Sequence, residues 1–401
     1  MNAFEPEEFL VEEILSDGTV LALNESIDLG KEDDEALERD YFTHFVLQKR
    51  LWATSQAIAA LAKALHVSQK RIDYAGMKDR NAVTTQLASV FAVDPGRVLT
   101  TRVKDVKING AWKAREKIKL GALAGNRFTI TLNERNCGIK PDAQAINEVA
   151  AKANYRLPNY FGSQRFGSLR GNTHKIGVLL CKGDVKSAVT EYLCETGGKE
   201  DSESREARKA LRESGDYGKA LKEFPRKLDI ERSMIAWLEK KPNDYAGAFR
   251  TMHRRTQLLF IHAAQSLAFN IALRRRTEEK CLEDAEWWCP ADVNGFPDLE
   301  KASTEKAAFA LQAIPGYESQ GGDYAKAALE EMGLTPESFN IKMFPELSSK
   351  GSLRPTAMPL VGFSGVQEGD AAKLRFSLPS GSYATVAIDL LLGKSLEYTS
   401  N

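Results

Sequence analysis

Strand-like alternation fills the first part of this chain, disappears from its middle and returns near its end, and that division constrains the fold more than any single motif. Residues 9–14 and 19–23 read as short strands, and 42–48 as a third, with apolar and polar residues roughly alternating. Residues 53–65 predict an amphipathic helix, because Ala57, Ile58, Leu61 and Leu65 recur at helical spacing. Residues 71–74, 83–93, 103–108 and 126–132 read as further strands, Asp94-Pro95-Gly96 as a turn and 141–154 as a helix. From about Asn172 to about Gly333 the texture is helical, with candidate helices at 182–193, 204–214, 228–239 and 257–276 and a loop at 315–322. Strand texture resumes at 358–363 and 373–377, and a turn at 378–382 leads into a last helix at 383–392. The order predicts an α+β protein in which one domain (1–167, completed by 351–401) is interrupted by a mostly helical insert (168–350), the last strands finishing the first domain's sheet.

The chain has 401 residues, 43% of them apolar, which is enough for two or three domains with sizeable cores. Lys plus Arg and Asp plus Glu number 55 each, so the formal net charge is zero. That excludes a globally basic polyanion binder but not a local basic face. The start is acidic (Glu5, Glu7, Glu8, Glu12, Glu13, then Glu32-Asp33-Asp34-Glu35), so the compensating base lies further on, much of it in the middle. The cysteines, Cys137, Cys181, Cys194, Cys281 and Cys289, are odd in number and match no zinc or redox spacing. With no signal peptide in the sequence, reduced thiols in a cytoplasm are expected. No apolar run reads as a membrane span. His44, His66, His174 and His262 show no ligand spacing, and no phosphate-cradling glycine loop or metal triad is present in the sequence.

The chemistry-bearing segment is Gly76-Met77-Lys78-Asp79-Arg80, followed by Ala82-Val83-Thr84-Thr85-Gln86. It sets one carboxylate between two cations. Adjacent positive charge favours the ionised form of a carboxylate, and a held, ionised carboxylate can serve as nucleophile or base. The flanking cations could also touch phosphate. The same residues suit an ordinary exposed turn between two strands, and composition alone favours the turn.

Two further segments change the balance: Leu120-Gly121-Ala122-Leu123-Ala124-Gly125-Asn126-Arg127-Phe128, and Leu157-Pro158-Asn159-Tyr160-Phe161-Gly162-Ser163-Gln164-Arg165-Phe166-Gly167. With the Asp79 segment they resemble, in order and spacing, the TruD family of pseudouridine synthases, in its archaeal-like form. Residues 6–13 and 378–385 resemble the family's opening and closing strands, and the helical middle resembles its inserted domain in kind. One position departs: the family often carries a base three residues before the opening Pro6, where this chain has Ala3.

The resemblance implies a pseudouridine-synthase catalytic domain with a mixed, largely antiparallel sheet, and isomerisation of uridine to pseudouridine in tRNA, at uridine 13, by a monomer without cofactor or metal. It implies that Asp79 is the essential aspartate acting on a flipped nucleotide, that Phe128 stacks the target base and that Asn126 orients the nucleotide near Asp79. A Phe in a strand is otherwise usually a core residue, and Asn126 otherwise a turn residue.

The remaining candidates come from residue type. Gln164 and Arg165 are natural donors to phosphate or base edges, and Arg165 is the first candidate partner for Asp79. Lys78 and Arg80 are expected to face solvent or phosphate. Asn159 and Phe161 share the glycine-bounded loop, whose aromatics suit packing as well as stacking. Basic groups at Lys49-Arg50, Arg71, 113–119, 222–227, His253-Arg254-Arg255 and Arg274-Arg275-Arg276 supply candidate phosphate contacts, although bases near helix ends also simply complement the dipole. Two other readings compete. One is a non-catalytic RNA-binding or RNA-folding protein on the same fold; the other is a metal-dependent phosphodiesterase using Asp73 and Asp79.

Overall fold

The computed structural model describes residues 4–31, 34, 37–38, 40–319 and 321–396. Ala3 and most of the acidic run at 32–35 therefore lie outside the described residues. The chain divides into two compact units: residues 1–157, 291–297 and 358–384 form the first, and 158–290, 298–357 and 385–401 the second. The division at 157/158 falls ten residues before the expected 167/168, because the change of texture marks where helices begin rather than where the units part. The second shift, to 357/358 from the expected 350/351, is smaller, and the last helix, Ala384–Leu391, lies almost wholly beyond the first unit's end at 384.

The first unit is built on one mixed sheet. Its strands are β1 (Phe9–Ile14), β2 (Phe42–Arg50), β3 (Ile72–Tyr74), β4 (Val83–Phe91), β5 (Val106–Ala114) and β6 (Gly125–Leu132), with a C-terminal hairpin, Val361–Glu368 and Ala371–Pro379. From one edge the order runs hairpin outer strand, hairpin inner strand, β6, β1, β4, β2, β5, with β3 pairing on β4. Only β1 and β4 run parallel, so the sheet is mixed and largely antiparallel. β1 takes the start of β4 (Leu10 opposite Val83) and β3 its end (Ile72 opposite Val90), and the chain between β3 and β4 carries Asp79.

Helix Thr54–Ala64 covers one face of this sheet. It buries Ala57, Ile58, Leu61 and Ala62 against Phe45 and Leu47 of β2 and Ala88 and Val90 of β4. The opposite face is closed by Leu21, Val46, Leu87, Trp112 and Ile118. Residues 19–23, expected as a strand, contribute a single bridge between Val20 and Ile14. Asp94 does not make a turn. Its side chain accepts from Arg97 N at 3.2 Å and caps a short helix, Pro95–Thr100, the proline sitting where no amide donor is needed.

The second unit centres on helix Arg254–Glu278. By length and composition it could cross a bilayer, contrary to the expectation that no segment would pass that test; here it is largely buried as a core helix. Helix Thr173–Cys181 crosses it so closely that a Cβ on Gly177 would lie 2.0 Å from the Phe260 carbonyl oxygen. The helix expected at 182–193 is Val185–Cys194, which begins three residues later, and a separate helix, Thr173–Cys181, precedes it. The unit also contains a three-stranded antiparallel sheet, Ser352–Pro355, Phe309–Ile314 and Trp287–Cys289 in that order, which the sequence reading did not foresee. All five cysteines are free thiols.

Candidate active site

Asp79 is exposed on the loop 75–82, and the backbone of that loop is fixed from several sides. Gly121 N donates to Ala75 O at 2.7 Å, and Leu51 N to Ala82 O at 3.3 Å. Gln86 Nε2 donates to Gly76 O at 3.0 Å, and Lys78 N to Thr54 Oγ1 at 3.0 Å, while Thr54 Oγ1 donates on to Gln86 Oε1 at 3.1 Å. Lys49 Nζ donates to Asp79 O at 2.7 Å and to Lys78 O at 3.4 Å. Thr54, Gln86 and Lys49 are all buried, so the loop rests on a bed of satisfied polar groups rather than on water.

Why the bed lies here follows from strand register. Side chains alternate across a sheet, and directly opposed residues share a face. Glu13 of β1 stands opposite Asn126 of β6, Val11 opposite Phe128, and Lys49 of β2 opposite Thr84 of β4. Into this line comes Lys78. Its ammonium lies 2.7 Å from Glu13 Oε2, with the side chains 5% and 0% exposed, and it also donates to Asn126 Oδ1. Glu13 Oε1 accepts from Leu87 N at 3.0 Å. Lys78 was expected to face solvent or phosphate; instead its charge is spent inside the sheet, leaving Arg80 as the exposed cation beside Asp79.

Lys49 also departs from expectation. Read as part of a positive patch, it is fully buried. Burial pushes its ammonium down to about 8, with the Asp79 charge favouring the proton and the Lys78 charge opposing it. Its neighbour Arg50 turns to the other side and pairs with Glu7 at 2.6 Å.

Asn126, on β6, is joined to the loop through Lys78. Phe128 is not an open stacking platform: it is 5% exposed, with its ring centroid 6.0 Å from that of Phe9 and 5.7 Å from that of Phe376. The reason is again register, since its opposed neighbours, Val11 and Phe376, are apolar.

The other candidates belong to the second unit. Asn159 is buried, with Nδ2 donating to Pro355 O at 3.1 Å and Oδ1 accepting from Arg354 at 2.8 Å. Phe161 is buried too, edge-on to Phe269 and beneath the Arg354 guanidinium, 4.1 Å from its centroid. Both were candidate substrate contacts, and both are committed to packing. Arg165, the expected partner of Asp79, donates Nε to Ser266 Oγ at 3.0 Å and stands over the Phe161 ring. Gln164 is exposed.

Several expected phosphate contacts are also engaged within the protein. Arg275 pairs with Glu331 at 2.8 Å, Arg276 is buried and donates to Gln312, and Arg71 donates to Ala92 O at 3.1 Å. Lys227 pairs with Asp201 at 2.8 Å. Arg255 and Lys222 remain exposed. Among the described residues no group of three or more His, Cys, Asp or Glu side chains is arranged to hold a metal ion.

Comparison with known proteins finds likeness along nearly the whole chain. The model of the family described as tRNA pseudouridine synthase D (TruD) matches residues 4–389. The probable tRNA pseudouridine synthase D of Methanosarcina barkeri is 36% identical over 377 residues, covering 85% of each chain. The tRNA pseudouridine synthase D of Geobacter sulfurreducens is 32% identical over 395 residues, covering 96% of this chain and 91% of its own. The crystal structure of a tRNA pseudouridine synthase D (TruD) candidate from Methanosarcina mazei superposes with a TM-score of 0.74 at 30% identity, covering 98% of this chain and 93% of that one.

Proposed function

The chain is a member of the TruD family of tRNA pseudouridine synthases, isomerases of uridine, and on that premise we propose that it converts uridine 13 of tRNA to pseudouridine with Asp79 as the catalytic carboxylate. The isomerisation breaks the bond from C1′ to N1 of uracil, joins C1′ to C5, releases the C5 proton and returns a proton to N1. Nothing is added or removed overall, so no cofactor enters the balance. Asp79 acts at the ribose of a nucleotide turned out of its stack, as nucleophile or as base.

The observation that carries this reading is the contrast at the loop: Asp79 is exposed while the residues holding its backbone, Lys49, Thr54 and Gln86, are buried. A carboxylate presented on so fixed a main chain meets the demand for orientation that such chemistry makes. Arg80 beside it is assigned to the RNA backbone, and Gln164 to substrate contact. Asn126 is assigned to fixing Lys78, and Phe128 to holding the strand that carries Asn126. The enzyme is read as a cytoplasmic monomer that needs no metal.

The test is tritium release from tRNA transcript carrying 5-tritiated uridine, in the presence of a chelator, for wild type and Asp79→Asn. Release by wild type alone, with the product mapped to position 13, supports the proposal. Release that survives in Asp79→Asn, or none from wild type despite tRNA binding, overturns it, the latter in favour of a non-catalytic RNA-binding role.

A further inference from the structure

Asp79 is held through its main chain, and of the groups that fix its loop Lys49 is the one that reaches the Asp79 carbonyl itself. Lys49 projects from β2 into the first unit's interior. It is 0% exposed, yet its ammonium reaches two consecutive carbonyls of the loop, Asp79 O at 2.7 Å and Lys78 O at 3.4 Å. Opposite it in the ladder stands Thr84, whose buried hydroxyl has no hydrogen-bond partner. An apolar residue at position 49 would leave both carbonyls without this donor, the Lys78 carbonyl in a buried setting.

We propose that Lys49 is a positioning residue for the reaction: its protonated side chain clamps the Lys78 and Asp79 carbonyls and thereby fixes the aim of the Asp79 carboxylate. The inference rests on the catalytic role given to Asp79 above. It adds that this aim depends on the charge state of a group the substrate never touches. An ammonium has three donors and no acceptor, so it can serve two carbonyls at once. The neutral amine is a much weaker donor and is not drawn to the loop by charge.

The charged groups acting on Lys49 are the Asp79 carboxylate, which favours its proton, and the Lys78 ammonium, which opposes it. Lys78 is in turn neutralised by Glu13 from β1. The helix packed on this side contributes the Thr54 hydroxyl to the bed and β4 contributes Gln86, while the uncharged Thr84 stands opposite Lys49. With burial holding the ammonium near pH 8, the clamp is closed at neutral pH and loosens as pH rises through that value.

The experiment is single-turnover tritium release by full-length wild type, Lys49→Met and Asp79→Asn, with tRNA affinity measured in parallel. Lys49→Met is expected to slow the chemical step by about 100-fold, the scale set by an ångström-level misplacement of a reacting group, with affinity for tRNA essentially unchanged. The wild-type rate is expected to fall above about pH 8, and Lys49→Met to lose that limb. A Lys49→Met rate equal to wild type overturns the inference.

Should Lys49→Met not fold, the wild type alone decides. The lysine 13Cε resonance of Lys49 is titrated beside the wild-type rate; coincident midpoints support the clamp, and separate ones overturn it. Failure of the functional reading looks different: there wild type itself releases no tritium, or Asp79→Asn remains active.

Discussion

The Lys78 ammonium and the Glu13 carboxylate stand 2.7 Å apart with both side chains withdrawn from solvent, one from the loop that carries Asp79 and the other from the sheet's first strand. The pair ties the loop to β1 and, through the Lys78 contact with Asn126, to β6. Removing one member of a buried pair costs far more than the pair itself contributes, because the survivor keeps its charge and loses its compensation.

Glu13→Gln is therefore expected to destabilise the first unit by about 3–5 kcal/mol, whereas Glu13→Leu combined with Lys78→Met recovers much of the loss. Urea unfolding followed by tryptophan fluorescence checks both. A double variant no more stable than the single one would argue against an ion pair that matters energetically.

Gly125 is needed for its size. A Cβ there would lie 2.2 Å from the Leu378 carbonyl oxygen and 2.7 Å from the Phe296 ring. Gly125→Ala must push β6 away from the hairpin's inner strand, and a loss of about 1–3 kcal/mol is expected, as for overpacked interiors. Hydrogen exchange should locate the damage at 125–132 and 371–379; uniform protection in those strands would contradict it.

In the second unit, Arg208 is buried and binds Glu200 at 2.8 Å and Glu231 at 2.7 Å, while its guanidinium also caps the Tyr192 and Leu193 carbonyls. Arg208→Met leaves two buried carboxylates facing each other. The expected loss is about 3–5 kcal/mol, and Arg208→Met combined with Glu200→Gln and Glu231→Gln should recover part of it, since no uncompensated buried charge then remains. Melting curves of the single and triple variants test both the size and the recovery.

His174 is held well below its ordinary value, at about 4, because burial disfavours its charged form and Lys175 opposes it. Its Nδ1 is buried without a partner, and its ring meets Phe166 edge-on. Unfolding releases a histidine that protonates near its ordinary 6.5. The stability gained by keeping it neutral is thus present above about pH 6.5 and declines as pH falls toward 4. His174→Phe is expected to flatten that part of the stability profile, and an unchanged slope would assign the acid sensitivity elsewhere.

Much of this was readable before the structure. The helix at Thr54–Ala64 and the strands β1, β4 and β6 stand where apolar spacing placed them, within a few residues. What sequence could not convey was which polar residues go inside. Gln48-Lys49-Arg50 reads as an ordinary charged strand end, and only the register of β2 against β4, with a loop crossing above, makes Lys49 an interior donor. Lys78 was misread for the same reason, since its partner Glu13 is remote in sequence. The small sheet of the second unit escaped because its strands are short and Phe309–Ile314 is almost uniformly buried, which erases the alternation that marks a strand. Asn159 and Phe161 drew attention as loop residues, but a loop packed against Arg354 and a core helix behaves as interior.

The position of β6 has a consequence for how the protein is made. One of its neighbours, β1, emerges from the ribosome first, and the other, Ala371–Pro379, emerges near the end. Throughout synthesis of the second unit, the strand bearing Asn126 and Phe128 presents an unpaired backbone edge, which is an invitation to mispair with other nascent chains. The interval between completion of β6 and docking of the hairpin is therefore when the first unit's sheet is open to mispairing.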